Sequence, residues 1–254
     1  MTSMFSLQGR VALVTGSSRG IGLVLATGLA QAGAQVILHG RDASTLQAAA
    51  AGLTTAGHSV DTVAFDLTDP DAVKQGMAGI AERTGVPDIL VNNAGIQLRG
   101  PITDFTVEQW HAIIDTNLTS AFLMSQAVAG GMIARGSGKI INIGSIQSQL
   151  ARPSITPYSA SKGGIVMLTK GLCADLAKHD IQCNALAPGY FATELTKALV
   201  ADPVFSEWVC NRTPAGRWGA VEDLVGACVF LASDASRFVN GQVLYVDGGM
   251  SAVV

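Results

Sequence analysis

Charge is scarce in this chain. Charged residues make up 14% of its 254 positions and aromatic residues 6%, against 48% hydrophobic. A disordered chain needs the opposite balance, so that class is excluded. What charge there is sums to −3, with no block of lysine or arginine, and so offers no phosphate-tracking surface for a nucleic acid. No apolar run approaches bilayer-spanning length, and no membrane partner is expected. The first residues, MTSMFSLQGR, lack the charged-then-apolar pattern of a secretory leader, which makes a cytoplasmic location the expectation. Cysteine is sparse too. Cys173, Cys183, Cys210 and Cys228 match neither a CxxC redox pair nor a zinc ribbon, so reduced packing residues and no metal site are expected.

Glycine is plentiful, at 29 residues, and it punctuates a repeating pattern. Short apolar runs at 11–15, 36–38, 62–65, 89–91, 140–143, 183–187 and 243–246 read as strands. Between them, apolar residues at helical spacing predict helices over 21–32, 44–56, 71–83, 108–134, 158–179 and 221–232. Strands this short and this apolar are expected to be buried on both faces. The pattern therefore predicts an α/β chain: one Rossmann-type, doubly wound domain over 1–254, with a seven-stranded parallel sheet flanked by helices.

The first turn, TGSSRGIG at 15–22, places Gly16, Gly20 and Gly22 between a strand and a helix. Glycine there lets the backbone approach a pyrophosphate, whose charge the helix N-terminus favours. At the end of the second strand, LHGRD puts Gly40 and Arg41 where a dinucleotide fold commonly carries an acid for the ribose 2′-hydroxyl. Arg41 and Arg19 can instead clamp a 2′-phosphate, which favours NADP(H) over NAD(H). Asp42, the competing acid, reads as the N-cap of the next helix.

A second cluster runs from Ser145 to Lys162. Tyr158 and Lys162, four apart on a helix, share one face. The lysine ammonium is expected to draw the phenol's pKa down, poising it for proton transfer near neutrality, while Ser145 aims a hydroxyl at the same substrate oxygen.

TGSSRGIG, Asp66 after the third strand, NNAG at 92–95, Asn117, Ser145, YSASK at 158–162 and Pro188-Gly189 occur in this order over nearly the whole chain. In that order they resemble the short-chain dehydrogenase/reductase family. The resemblance implies a catalytic tetrad of Asn117, Ser145, Tyr158 and Lys162. Tyr158 would be the acid/base, Ser145 would orient the substrate oxygen, Lys162 would bind the nicotinamide ribose and lower the tyrosine pKa, and Asn117 would hold a relay water. It also implies that Asp66 meets the adenine and that Asn93, Ala94 and Gly95 support the middle of the cofactor. Ser18, Ile21, Leu67, Pro188 and Gly189 are counted with the glycine turn as further cofactor contacts.

Around the expected nicotinamide position the loops carry Gln97, Arg99, Gln147, Gln149, Arg152 and Tyr190. An apolar substrate would leave such donors unpaired at ~1–3 kcal/mol each, whereas a polyhydroxy acid satisfies them. Together with Ser145 and Tyr158 they predict a sugar-acid substrate, and the surrounding text resembles the sugar-acid branch of the family more than its 3-oxoacyl-carrier-protein reductases. A nonenzymatic NADP(H) sensor is the reading from another class, and the intact tetrad argues against it. The polar and aromatic segment 190–217 is expected to be a lid. Broad apolar faces on 108–134 and 158–179 are expected to meet symmetry mates, and the resemblance implies a homotetramer.

Overall fold

Strand residues that are apolar at every position must be covered on both faces, and the layering follows from that need. The structure, a computed structural model, describes residues 4–254. Its strands are β1 (Val11–Val14), β2 (Gln35–Gly40), β3 (Val60–Ala64), β4 (Ile89–Asn92), β5 (Gly138–Ile143), β6 (Ile181–Pro188) and β7 (Val243–Val246). They form one sheet in the order β3-β2-β1-β4-β5-β6-β7, and every described pairing is parallel. The helices are α1 (Gly20–Gln31), α2 (Ala43–Thr55), α3 (Pro70–Thr84), α4 (Val107–Ile114), α5 (Ser120–Arg135), α6 (Thr156–Leu176), α7 (Lys197–Val200), α8 (Pro203–Arg212) and α9 (Val225–Ala232).

Alternation along each strand divides the core in two. Val14, Leu38, Val91 and Ile141 pack with α1, α2 and α9 through Leu25, Leu46 and Leu231. Their neighbours Leu13, Ile37, Leu90 and Ile140 pack on the other face with α3 and α5 through Ile80 and Met124. Burial on both faces holds for the central strands. It does not hold for β3 and β7, which are only partly buried, because each lies at a sheet edge and lacks a neighbour on one side.

The predicted helix over 108–134 is interrupted. Between α4 and α5, residues Asp115–Thr119 form a π turn, in which Ser120 N–H reaches back five residues to the Asp115 carbonyl. Hydrophobic spacing runs through this segment without a break, so the pattern carries no mark of the extra residue in the turn. The segment 190–217 is not a bare loop either, since α7 and α8 lie within it.

The chain order reverses at β1, which has β2 on one side and β4 on the other. The turns after β1 and β4 are thereby adjacent at the carboxyl edge, the position where doubly wound sheets open a crevice.

Candidate active site

The turn after β1 is built by hydrogen bonds to the turn after β4. Thr15 Oγ1 accepts from the Asn93 and Ala94 backbone N–H groups at 2.9 and 3.1 Å, and Asn93 Nδ2 donates to the carbonyls of Thr15 and Gly16. Gly16 has φ +60° and stands against Ala94, while a side chain at Gly22 would collide with the Gly16 carbonyl and the Asn93 amide. The glycines are thus required by the packing of one turn on the other. α2, α3 and α4 are capped by Asp42, Asp69 and Thr106, but α1 has no side-chain cap and no acid in its first turn. Its N-terminal N–H groups open into the cleft, which suits a pyrophosphate.

That cleft holds Gly16, the 18–22 turn, Gly40, Arg41, Asp66, Leu67 and the 93–95 segment, so the cofactor residues named from the first four strands line one space. Arg19 and Arg41 are both exposed, and neither enters a salt bridge among the described residues. Asp42 is turned away to cap α2. Its carboxylate accepts from Thr45 N–H at 2.7 Å and from the Ser44 and Thr45 hydroxyls, which pull its pKa down to about 2. Asp66 is likewise held below the usual carboxylate range, first by bonds from the Thr68 N–H and hydroxyl, with the Arg41 charge adding to them. These residues fit a dinucleotide: glycines that admit no side chain, an uncapped helix end and two unpaired cations.

The cleft continues over β5 and β6, where Ser145, Tyr158, Lys162, Pro188, Gly189, Gln97, Arg99, Gln147, Arg152 and Tyr190 come together. Ser145 ends the β5 turn, accepts the Gln147 N–H at 3.1 Å and is hydrogen-bonded to the Tyr158 phenol. Lys162 is 4% exposed; its Nζ donates to the Ile143 carbonyl at 2.7 Å and lies 5.7 Å from the Tyr158 ring centre.

The expected lowering of the tyrosine pKa is not what the geometry produces. Burial raises the Tyr158 phenol above its ordinary value, and the Ser145 hydrogen bond opposes this only in part. Burial also pushes Lys162 down to about 8. Both groups lie where their charged forms are poorly solvated, and the lysine's near partner is a carbonyl. At neutral pH the phenol keeps its proton.

Asn117 stands behind the cleft without lining it. The π turn aims its amide at the segment after β4, where Oδ1 accepts the Ile96 N–H at 2.7 Å and Nδ2 donates to the Ile96 carbonyl and to Ser161 Oγ. Gln149 is exposed and outside the cleft. The wall is also less polar than the loop text implied, because Ile143, Ile146, Ile155, Phe191 and Leu199 contribute to it.

Sequence reasoning passed over His39 and Thr193. His39 is buried at the end of β2 and braces the glycine turn: Nδ1 accepts the Gly16 N–H at 3.4 Å, while Nε2 pairs with the Phe65 carbonyl at 3.1 Å. It stood in LHGRD beside Gly40, and its polar type within an apolar strand was the available clue. Thr193 lines both halves of the cleft.

A family model described as enoyl-(acyl carrier protein) reductase, of the short-chain dehydrogenase type, matches residues 16–251. The chain belongs to the short-chain dehydrogenase/reductase family. Within the family it is 57% identical over 248 residues to the gluconate 5-dehydrogenase of Gluconobacter oxydans (strain 621H), covering 98% of this chain and 97% of that protein. It is 50% identical over 254 residues to the 5-keto-D-gluconate 5-reductase of Escherichia coli (strain K12), covering 100% of both. The crystal structure of a gluconate 5-dehydrogenase from Burkholderia cenocepacia in complex with NADP and tartrate superimposes with a TM-score of 0.97. It is 54% identical and covers 100% of this chain and 99% of its own.

Proposed function

We propose that this chain is an NADP(H)-dependent oxidoreductase that interconverts D-gluconate and 5-keto-D-gluconate. The observation that carries the substrate reading is the charge of the cleft beside Tyr158. Arg99 and Arg152 both line it, burial lowers the Arg99 pKa and the repulsion of the Arg152 charge lowers it further, and no carboxylate lines it among the described residues. An anion between the two guanidinium groups relieves that repulsion and accepts planar, charge-assisted hydrogen bonds. Gln147 Oε1 is buried and without a hydrogen-bond partner among the described residues, and it supplies an acceptor for a hydroxyl. A hydroxylated carboxylate meets both needs. The similarity to gluconate 5-dehydrogenases supports the same substrate.

When bound, NADPH supplies the hydride that reduces the carbonyl. The chain supplies the proton and the alignment. Tyr158, still protonated at neutral pH, donates its phenolic proton to the carbonyl oxygen, with the Ser145 hydroxyl donating a hydrogen bond to the same atom. In the oxidative direction the phenolate form of the same side chain accepts the proton of the alcohol. Lys162 would hold the cofactor ribose beside the phenol, and Asn117, whose amide braces the segment after β4, would hold the relay water. Arg19 and Arg41 would hold the 2′-phosphate, and Asp66 with Leu67 would border the adenine. The segment 190–217 is the lid; Tyr190, Phe191, Thr193, Thr196 and Leu199 line the cleft from it, which supports that role. The working form is a cytoplasmic homotetramer. Val107, Trp110, Phe122 and Met167, exposed on α4, α5 and α6, support association of copies, and the four free thiols suit a reducing compartment.

The test is initial-rate absorbance with 5-keto-D-gluconate and NADPH or NADH, and with D-gluconate in the reverse direction. Turnover that is rapid with NADPH and much slower with NADH is the expected result. Turnover of acetoacetyl thioesters alone would move the chain to the acyl-carrier branch. Nucleotide binding without turnover of any carbonyl would leave a sensor.

A further inference from the structure

Arg152 ends a long flexible side chain in the loop before α6, and holding such a side chain in one place costs about 2 kcal/mol of rotamer freedom. The four ion pairs among the described residues use Arg10, Arg83, Arg135 and Arg217, so no acid fixes Arg152. Its guanidinium lies instead over the face of Phe205, with Cζ 5.7 Å from the ring centre, and Nη1 donates to the Pro153 carbonyl at 3.3 Å, while its charge also acts on the nearby Tyr190 hydroxyl.

Phe205 is itself firmly held. It is in the first turn of α8, where its N–H and that of Val204 bond to the Asp202 cap at 3.2 and 3.0 Å. Its ring packs on Tyr190, Trp208 and Trp218 at centre distances of 5.8, 5.5 and 6.4 Å. Tyr190 closes the cluster edge-on to both tryptophans, and Trp218 Nε1 donates to Ser206 Oγ at 2.8 Å. Phe205 does not line the cleft.

We infer that Phe205 is a positioning residue whose ring face holds the Arg152 guanidinium ready for an anionic substrate, so that preference for a carboxylate is set in part by a side chain that touches no substrate. The inference rests on the reading that Arg152 binds the substrate carboxylate. A ring face presents negative charge to a cation, so the bond to Phe205 orients Arg152 without neutralising it, as a partner carboxylate would. The contact also joins the loop after β5 to α8, so an anion that engages Arg152 is linked to the segment over the cleft.

The experiment compares kcat and KM for 5-keto-D-gluconate and for its neutral methyl ester in the wild type, Phe205→Leu, Phe205→Tyr and Arg152→Gln. For Phe205→Leu the KM of the acid rises about fivefold, the scale of one cation–π contact. Its kcat, the KM for NADPH and kcat/KM for the ester stay within about twofold, and Phe205→Tyr restores the acid KM. Equal losses on acid and ester would show a general loosening of the lid and overturn the inference. A raised acid KM in Arg152→Gln with an unchanged one in Phe205→Leu would also overturn it, while leaving the carboxylate reading intact. An unchanged acid KM in Arg152→Gln would remove both. Should Phe205→Leu not fold, pentafluorophenylalanine in place of Phe205 keeps the ring's shape and inverts its charge distribution; an unchanged acid KM there refutes the inference, and a raised one supports it.

Discussion

Cofactor preference can be reversed by one carboxylate at Gly40. The position admits it: a Cβ built there meets nothing closer than Leu46 at 3.5 Å, and its backbone is not in the left-handed region. Gly40 borders the cleft together with Arg19 and Arg41. In Gly40→Asp the new charge, at roughly 5 Å from a dianionic 2′-phosphate in a water-like dielectric, costs roughly 2 kcal/mol. The same carboxylate accepts a hydrogen bond from the 2′-hydroxyl of NADH, worth about 1 kcal/mol. Together these change the ratio of kcat/KM for NADPH over NADH by about 10² in favour of NADH. Initial rates with each cofactor at low ionic strength read this directly. Because the arginines are exposed, the repulsive part shrinks at high salt, and repeating the measurement there separates the two contributions. A ratio within threefold of the wild type would refute the placement of the 2′-phosphate between Arg19 and Arg41.

Replacing the phenol tests the proton donor. Tyr158→Phe is expected to lower kcat by roughly 10²- to 10⁴-fold with NADPH still bound in a fluorescence titration, and near-normal turnover would assign the proton to another group. A third prediction concerns acid stability. Burial, partly opposed by the Phe65 carbonyl and Asp66, lowers His39 from 6.5 to about 4 in the fold. Between those values the unfolded chain binds the proton and the folded one does not, so stability falls as pH drops through this window. From pH 7 to pH 5 the wild type should lose about 2 kcal/mol more than His39→Asn in urea unfolding, the offset that this shift implies. Equal losses would rule out His39 as the acid-sensitive group.

Continuous apolar strands such as ALV at 12–14 and ILV at 89–91, with glycine turns between strand and helix, were enough to imply a parallel sheet. Only a sheet covered on both faces buries every residue of such runs. The glycine turn, the Asp42 cap and the Tyr158–Lys162 spacing were equally legible, because each depends on residues within one turn of chain. The π turn was not, since one extra residue in a helix leaves the apolar spacing nearly unchanged. Nor could the sequence show that β3 and β7 lie at exposed edges, because strand order is a property of the whole sheet.

The electrostatics belonged to the tertiary structure alone. Lys162 bonds to a carbonyl 19 positions away and is buried with the phenol it was expected to ionise, which reversed the sign of the tyrosine shift. Arg152 meets Arg99 across the cleft and Phe205 from a distant helix, and His39 ties β2 to the glycine turn. Residue type and spacing determine which groups can carry charge and which face of an element they occupy. Whether that charge is tolerated depends on the water excluded and the partners brought in from elsewhere in the chain, and only the folded packing decides both.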